Sequence, residues 1–237
     1  MSELPVSNPH AVSSHDVSSH GASSHTAPPP VAMQFDDAGQ QREAATLGMW
    51  TFLATEVLFF GGALMAFTIF RALYFEAFAE ASHELYPSIA TANTAILLCS
   101  SFCMAMAVHE TQHDGRRNRI AMYLIGTVVL GAAFLGVKAI EYSIDYHEGT
   151  IPRIAWDPKH FADSNHAQLF FFFYFILTLL HALHMTIGMV ILLILTWRTR
   201  EHDFASTRHN TVEMVGLYWH FVDVVWIFLF PLLYLVG

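Results

Sequence analysis

An all-α membrane protein, a bundle of five transmembrane helices with its N-terminus cytoplasmic and its C-terminus outside, is the fold class this sequence predicts, on three observations. Apolar residues make up 54% of the chain and charged ones 13%, which places it among membrane proteins and not among soluble enzymes. Five apolar windows, at about 47–70, 88–108, 120–137, 168–197 and 211–236, are long enough for a hydrocarbon core that takes about 20 helical residues to cross. Runs of that length mean helices, because barrel strands come as alternating segments of about ten residues. The third observation is charge asymmetry. Arg116, Arg117 and Arg119 follow the second window, and Arg198, Arg200 and Arg208 follow the fourth. The positive-inside rule puts both loops in the cytoplasm. The stretch "ELYP" with its upstream glutamates and the segment "IDYHEGTIPRIAWDPKHFADSNH" are then outer loops.

Residues 1–45 are a different material, rich in Ser, Ala, His and Pro, and read as a disordered cytoplasmic tail ahead of the five-helix domain at 46–237. They contain no apolar run long enough for a signal peptide. His10, His15, His20 and His25 recur every five residues. That step turns a helix about 140° past a full circle, so the imidazoles share no helical face. A solvated low-complexity tail is the expectation, with metal binding by a flexible coil as the alternative.

The first window carries Glu56 in "LGMWTFLATEVLFFGG", nine residues after Leu47 and so about 14 Å along the axis, near the midplane. An ionisable group there costs at least about 2.5 kcal/mol on insertion scales and marks a function by default. Two readings stand equally: a proton-accepting group or polar anchor for a neighbouring helix, and a neutral acid hydrogen-bonded inside the bundle. The second window holds Cys99 and Cys103 one turn apart, expected as small buried packing residues with no redox or metal role. In the third, Gly126, Gly131 and Gly136 recur at steps of five, a pattern for close helix approach without a strict small-xxx-small motif. Lys138 and Glu141, just past that window, read as an ion pair at the interfacial end of the helix.

His181 and His184 in the fourth window share a helix face, as do His220 and Asp223 in the fifth, with Glu213 two turns earlier. A haem or metal between these helices would want further ligands and a slot lined by small residues. Trp219, Phe221 and Trp226 fill the fifth helix with bulk instead. The expectation is therefore that His220 and Asp223 tie helices together, neutral imidazole being both donor and acceptor. On the cytoplasmic face Glu43, His109, Glu110, His113, Asp114, His202, Asp203 and His209 mix carboxylates and imidazoles whose ordinary pKa values bracket neutrality. They form a candidate proton-collecting surface, with an ordinary solvated loop as the alternative. No phosphate loop, nucleophile elbow, cysteine pairs at zinc spacing or matched broken helices occur in the sequence, so the residues give no catalyst.

The stretches "LGMWTFLATEVLFFGG", "GVKAIEY", "FFYFILTLLHALHMTIG" and "GLYWHFVDVVWIFLFPLLYLVG" resemble, in order, the signature stretches of subunit III of the haem-copper oxidases, in its five-helix bacterial form. The resemblance covers about Thr46 to Gly237. It implies a subunit of an enzyme that oxidises cytochrome c, reduces oxygen and pumps protons across a bacterial plasma membrane. It further implies a direct partner in subunit I, association with subunit II, bound phospholipid, and no nucleic-acid partner. Haem and copper would sit in the partner subunits, leaving no catalytic, cofactor or metal residue here. Glu56, His181, His184, His220 and Asp223 fall on the family's buried polar positions, whose implied role is structural, lipid-related or proton-related. The polar tail stands where the mitochondrial form has two further helices, and the bo-type quinol oxidases also carry a subunit III of five helices. An autonomous proton-coupled transporter is the alternative of another class.

Overall fold

A computed structural model describes residues 35–113, 116–152, 155–156, 161, 163–201 and 207–235; the tail repeat, Asp114, His202, Asp203 and the side chain of His209 lie outside the described residues. The fold is helical, and five helices, Gly39–Leu73, Pro87–Gln112, Arg117–Glu148, Ser164–Thr199 and Asn210–Tyr234, are long and apolar enough to cross a membrane.

Helix α1 (Ala38–Leu73) begins well before the apolar window. Asp37 caps it, its carboxylate accepting from Gln40 N–H at 2.7 Å, and an anion there suits the positive end of the helix. Of the glutamates expected in a loop after α1, Glu76 and Glu80 belong to a short helix, α2 (Phe75–Ser82), which buries Ala77, Phe78, Ala81 and Ser82, and Glu84 follows it in the turn. Phe78 holds it against the Phe67 ring of α1 at 5.6 Å and the Phe170 ring of α5 at 5.5 Å. Eight residues are too few to register as a span.

Helix α3 (Pro87–Gln112) opens on proline at its first turn, where a missing N–H costs nothing. Helix α4 (Arg117–Glu148) runs eleven residues past the predicted end at 137. It stops at Gly149, whose φ of 76° and N–H bond to Asp145 carbonyl make the left-handed cap that glycine adopts without strain. Strands β1 (Thr150–Ile151) and β2 (Ala155–Trp156) then pair antiparallel, Thr150 opposite Trp156. Helices α5 (Ser164–Glu201) and α6 (Thr207–Tyr234) complete the chain.

The packing is a closed ring of four helices, α3 on α4, α4 on α5, α5 on α6 and α6 back on α3, with α1 laid against α5 and α6 and α2 against α5. Trp219 and Trp226, both fully buried, fill the middle with Phe134, Leu97, Met104, Leu124 and Met185. Lipid is as apolar as leucine, so close fit supplies what the hydrophobic effect gives in water. A Cβ on Gly131 would stand 2.9 Å from Trp219 Cη2, and one on Gly188 3.1 Å from Cε3 of the same ring. Two glycines on different helices thus make the slot for one indole. Gly126 faces Cys103 instead, and Gly136 meets nothing within 4 Å, so the five-residue repeat is not one packing face. Cys99 is exposed and Cys103 only half-buried, both as free thiols; the expected pair of buried packing cysteines is not what the helix presents, because position 99 turns outward.

Candidate functional site

The polar side chains fall into separate clusters along the bundle. Lys138, Glu141 and Asp145 stand on one face of α4 by their spacing, and each is at least 95% buried. Lys138 Nζ donates to Glu141 Oε2 at 2.9 Å, Tyr234 hydroxyl at 2.7 Å and Tyr174 hydroxyl at 3.2 Å. An ammonium has three donors, and all three are used. The Tyr174 hydroxyl in turn donates to Glu141 Oε1 at 2.8 Å, and Tyr234 makes a short bond to the same oxygen. Four aromatic rings, of Tyr142, Tyr174, Trp226 and Tyr234, lie 5.1–5.5 Å from the ammonium. The expected Lys138–Glu141 ion pair is therefore present, but not at a helix end. Glu148 ends α4 ten residues later, about 15 Å further along the axis, and the pair lies inside the bundle. Tyr174 and Tyr234, from α5 and α6, are the partners that sequence reasoning missed.

The two fourth-span histidines part company. His184 Nε2 lies 3.2 Å from Glu56 Oε2, joining α5 to α1. Its Nδ1 meets Leu180 carbonyl at 2.8 Å. A carbonyl only accepts, so Nδ1 carries a proton, and in the neutral ring Nε2 is left with a lone pair. The contact with Glu56 is within ion-pair distance but lacks hydrogen-bond alignment. The contact joins the two helices and fits both readings of Glu56: a neutral acid would donate to the Nε2 lone pair, and an ionised carboxylate would pair with a ring protonated at both nitrogens. His181, 1% exposed, packs between the Phe134 ring at 5.5 Å and the Trp226 ring at 5.1 Å. Neither of its nitrogens has a hydrogen-bond partner among the described residues.

On α6, His220 Nδ1 meets Ser101 hydroxyl at 2.8 Å and so ties α6 to α3, as expected. Asp223, 3% exposed, also lies beside Ser101 of α3, within its reach but without the alignment of a full hydrogen bond. The α3 to α6 tie at that level is made instead by Trp226 Nε1, which donates to Thr94 hydroxyl at 3.0 Å. Glu213 is half-buried near the start of α6.

Glu56 and His184 open on a cleft of about 380 Å³ where α1 meets α5 and α6, lined also by Met49, Phe52, Ile187 and Tyr218. Tyr218 hydroxyl donates to His184 carbonyl at 3.1 Å along its edge. At the end of the bundle where α3 stops and α4 starts, Arg119 reaches Glu110 at 3.0 Å. His109 and His113 are exposed beside them with rings stacked at 4.3 Å, and the exposed Glu43 of α1 stands at the same end. At the opposite end His166 stacks on Tyr74 at 3.7 Å and bonds Asp163. That bond holds the Asp163 carboxyl below the usual carboxylate range. Among the described residues no three or more His, Cys, Asp or Glu side chains converge as metal ligands.

A model of the family described as "Cytochrome c oxidase subunit III" matches residues 33–237. The cytochrome c oxidase subunit 3 of Thermostichus vulcanus is 32% identical over 206 residues, covering 86% of this chain and 93% of its own length. That of Damaliscus lunatus is 32% identical over 199 residues, covering 79% of this chain and 67% of its own. The quinol oxidase subunit 3 of Bacillus spizizenii is 30% identical over 192 residues, covering 81% and 86%. Five apolar helices with acid, imidazole and ammonium groups paired inside them, and a match over nearly the whole described chain, lead to one statement: the chain belongs to the cytochrome c oxidase subunit III family and is a subunit III of a haem-copper oxidase.

Proposed function

We propose that this chain is the non-catalytic subunit III of a proton-pumping cytochrome c oxidase in a bacterial plasma membrane, packed on subunit I, holding phospholipid and supporting proton uptake. The observation that carries the reading is the family match together with the standing of the charged groups. Lys138 is committed to Glu141 and two tyrosines, and Glu56 to His184, which suits anchors between helices better than redox ligands. Haem and copper then belong to the partner subunits. The cleft beside Glu56, apolar along most of its wall and open to the outside of the bundle, suits an acyl chain. The arginine-bearing end, with Glu43, His109, Glu110 and His113 together with Asp114, His202, Asp203 and His209 in the adjoining segments, faces the cytoplasm on the positive-inside rule and gathers protons for the neighbouring subunit. Unchanged proton uptake at high pH after replacing these histidines and carboxylates would remove that last part.

The electron donor is read as cytochrome c. A quinol donor is the second reading, favoured by the 30% identity to a quinol oxidase subunit 3. The deciding experiment is to extract the tagged chain in mild detergent, identify the co-purifying chains by mass, and record the reduced-minus-oxidised spectrum. Haem bands with a large multi-span partner and a copper-binding partner are expected, and the band positions separate the two donors. A colourless chain that moves protons alone would establish the transporter class instead.

A further inference from the structure

His109, Glu110, Thr111 and Gln112 close α3 and His113 is its C-cap; their order is H-E-x-x-H, which on a helix sets two imidazoles on one face four residues apart. The structure keeps that relation, with His113 N–H bonded to His109 carbonyl at 3.2 Å and the rings stacked at 4.3 Å. The tautomer of His113 is fixed. Its Nδ1 lies 3.0 Å from the same His109 carbonyl, which only accepts, so Nδ1 carries the proton and Nε2 presents a lone pair. A metal-ligating histidine is oriented in this way, its second nitrogen donating to a backbone carbonyl. Both side chains are exposed, and a cation at a helix C-terminus is favoured by the helix dipole.

We propose that His109 and His113 form a two-histidine binding site for a divalent transition metal of the zinc and copper class. Imidazole selects such metals over calcium or magnesium. Water completes the coordination, because among the described residues no group of three ligating side chains is placed to do so. Glu110, the general base of the metalloproteases that share this order, is held by Arg119 at 3.0 Å. The site therefore binds metal and does not hydrolyse peptides. The inference does not rest on the oxidase reading, since it needs only the local geometry of α3, and a bound metal would take His109 and His113 out of the proton-collecting set.

The test uses the full chain in its native complex and copper(II) iminodiacetate, a chelate that leaves two positions for imidazole. Electron paramagnetic resonance of wild type minus H109A/H113A is expected to show nitrogen couplings from two ligated imidazoles, and zinc is expected to compete. H113A alone should weaken binding by about 10-fold or more, since losing even an outer-shell partner of a metal ligand costs that much. Glu110→Gln should leave it unchanged. The rival source is the tail, with its histidines at 10, 15, 20 and 25. A chain lacking residues 1–34 is expected to keep the signal. Binding that survives H109A/H113A and disappears with the tail would overturn the proposal, as would no difference between wild type and the double variant.

Discussion

Lys138 is 4% exposed and Glu141 1% exposed, and a single substitution separates the pair's net worth from the cost of breaking it. Lys138→Met removes the cation and leaves a buried carboxylate with only Tyr174 and Tyr234 as donors. The expected loss is about 3–5 kcal/mol, while K138M/E141L, which removes both charges, should recover most of it. Thermal unfolding followed by circular dichroism in detergent measures the cycle, and a double variant as unstable as the single would show that the tyrosine network, not the charge, was at stake. Asp163 gives the pH-dependent case. His166 bonds its carboxyl and holds its pKa below the ordinary range. A depressed carboxylate contributes stability above its unfolded pKa of about 3.9, and the contribution is lost as pH falls through the lower folded value. His166→Gln is expected to move the Asp163 titration upward toward the ordinary range, read by carbon NMR of labelled aspartate; an unmoved titration would mean that the Tyr74 stack alone positions His166.

Helix α4 shows why part of the structure was legible in the sequence and part was not. Its apolar window ends at 137 because Lys138, Glu141 and Asp145 depress hydropathy, yet the helix continues to Glu148. Hydropathy counts a charge and is blind to its partner; Tyr174 and Tyr234 lie 36 and 96 residues away from Lys138. The same holds for Glu56 and His184. Each was legible as a costly polar residue, but the pairing of α1 with α5 depends on rotation about helix axes, which periodicity does not fix. Asp223 is the reverse case. Its burial was legible, and the aligned helix ties near it are those of Trp226 and His220, with Ser101 beside its carboxyl group. Glycine positions test the packing at this scale. Gly131→Ala places a methyl 2.9 Å from Trp219 Cη2 and should cost about 1–3 kcal/mol by overpacking. Gly61→Ala meets nothing within 4 Å and should gain about 0.5–1 kcal/mol from helix propensity. Equal effects in a thermal shift assay would mean that α4 and α6 can separate to admit the methyl group, and that the indole slot is not tight.

At the scale of the molecule the five spans are unequal. Only 17% of the most apolar stretch of α1 is buried within the chain, against 44% of that of α6, and Leu58, Val57, Phe59 and Met65 point outward along it. The ring of α3, α4, α5 and α6 closes on itself, so it carries its own core, whereas α1 is held at one side by the Glu56–His184 contact and the edge of the cleft. Few internal contacts mean a low local opening free energy. In the extracted chain α1 is therefore expected to exchange amide hydrogens faster than α4, and His184→Ala should speed α1 further while leaving α4 unchanged. If α1 is the face that a partner subunit covers, its exchange slows in the assembled complex far more than that of any other span. Hydrogen exchange followed by mass spectrometry, run on the chain alone and in the complex, reads each helix separately. Uniform protection of all five spans in the isolated chain would contradict this picture, because it would mean that α1 shares the stability of the ring and that the cleft beside Glu56 is closed in solution.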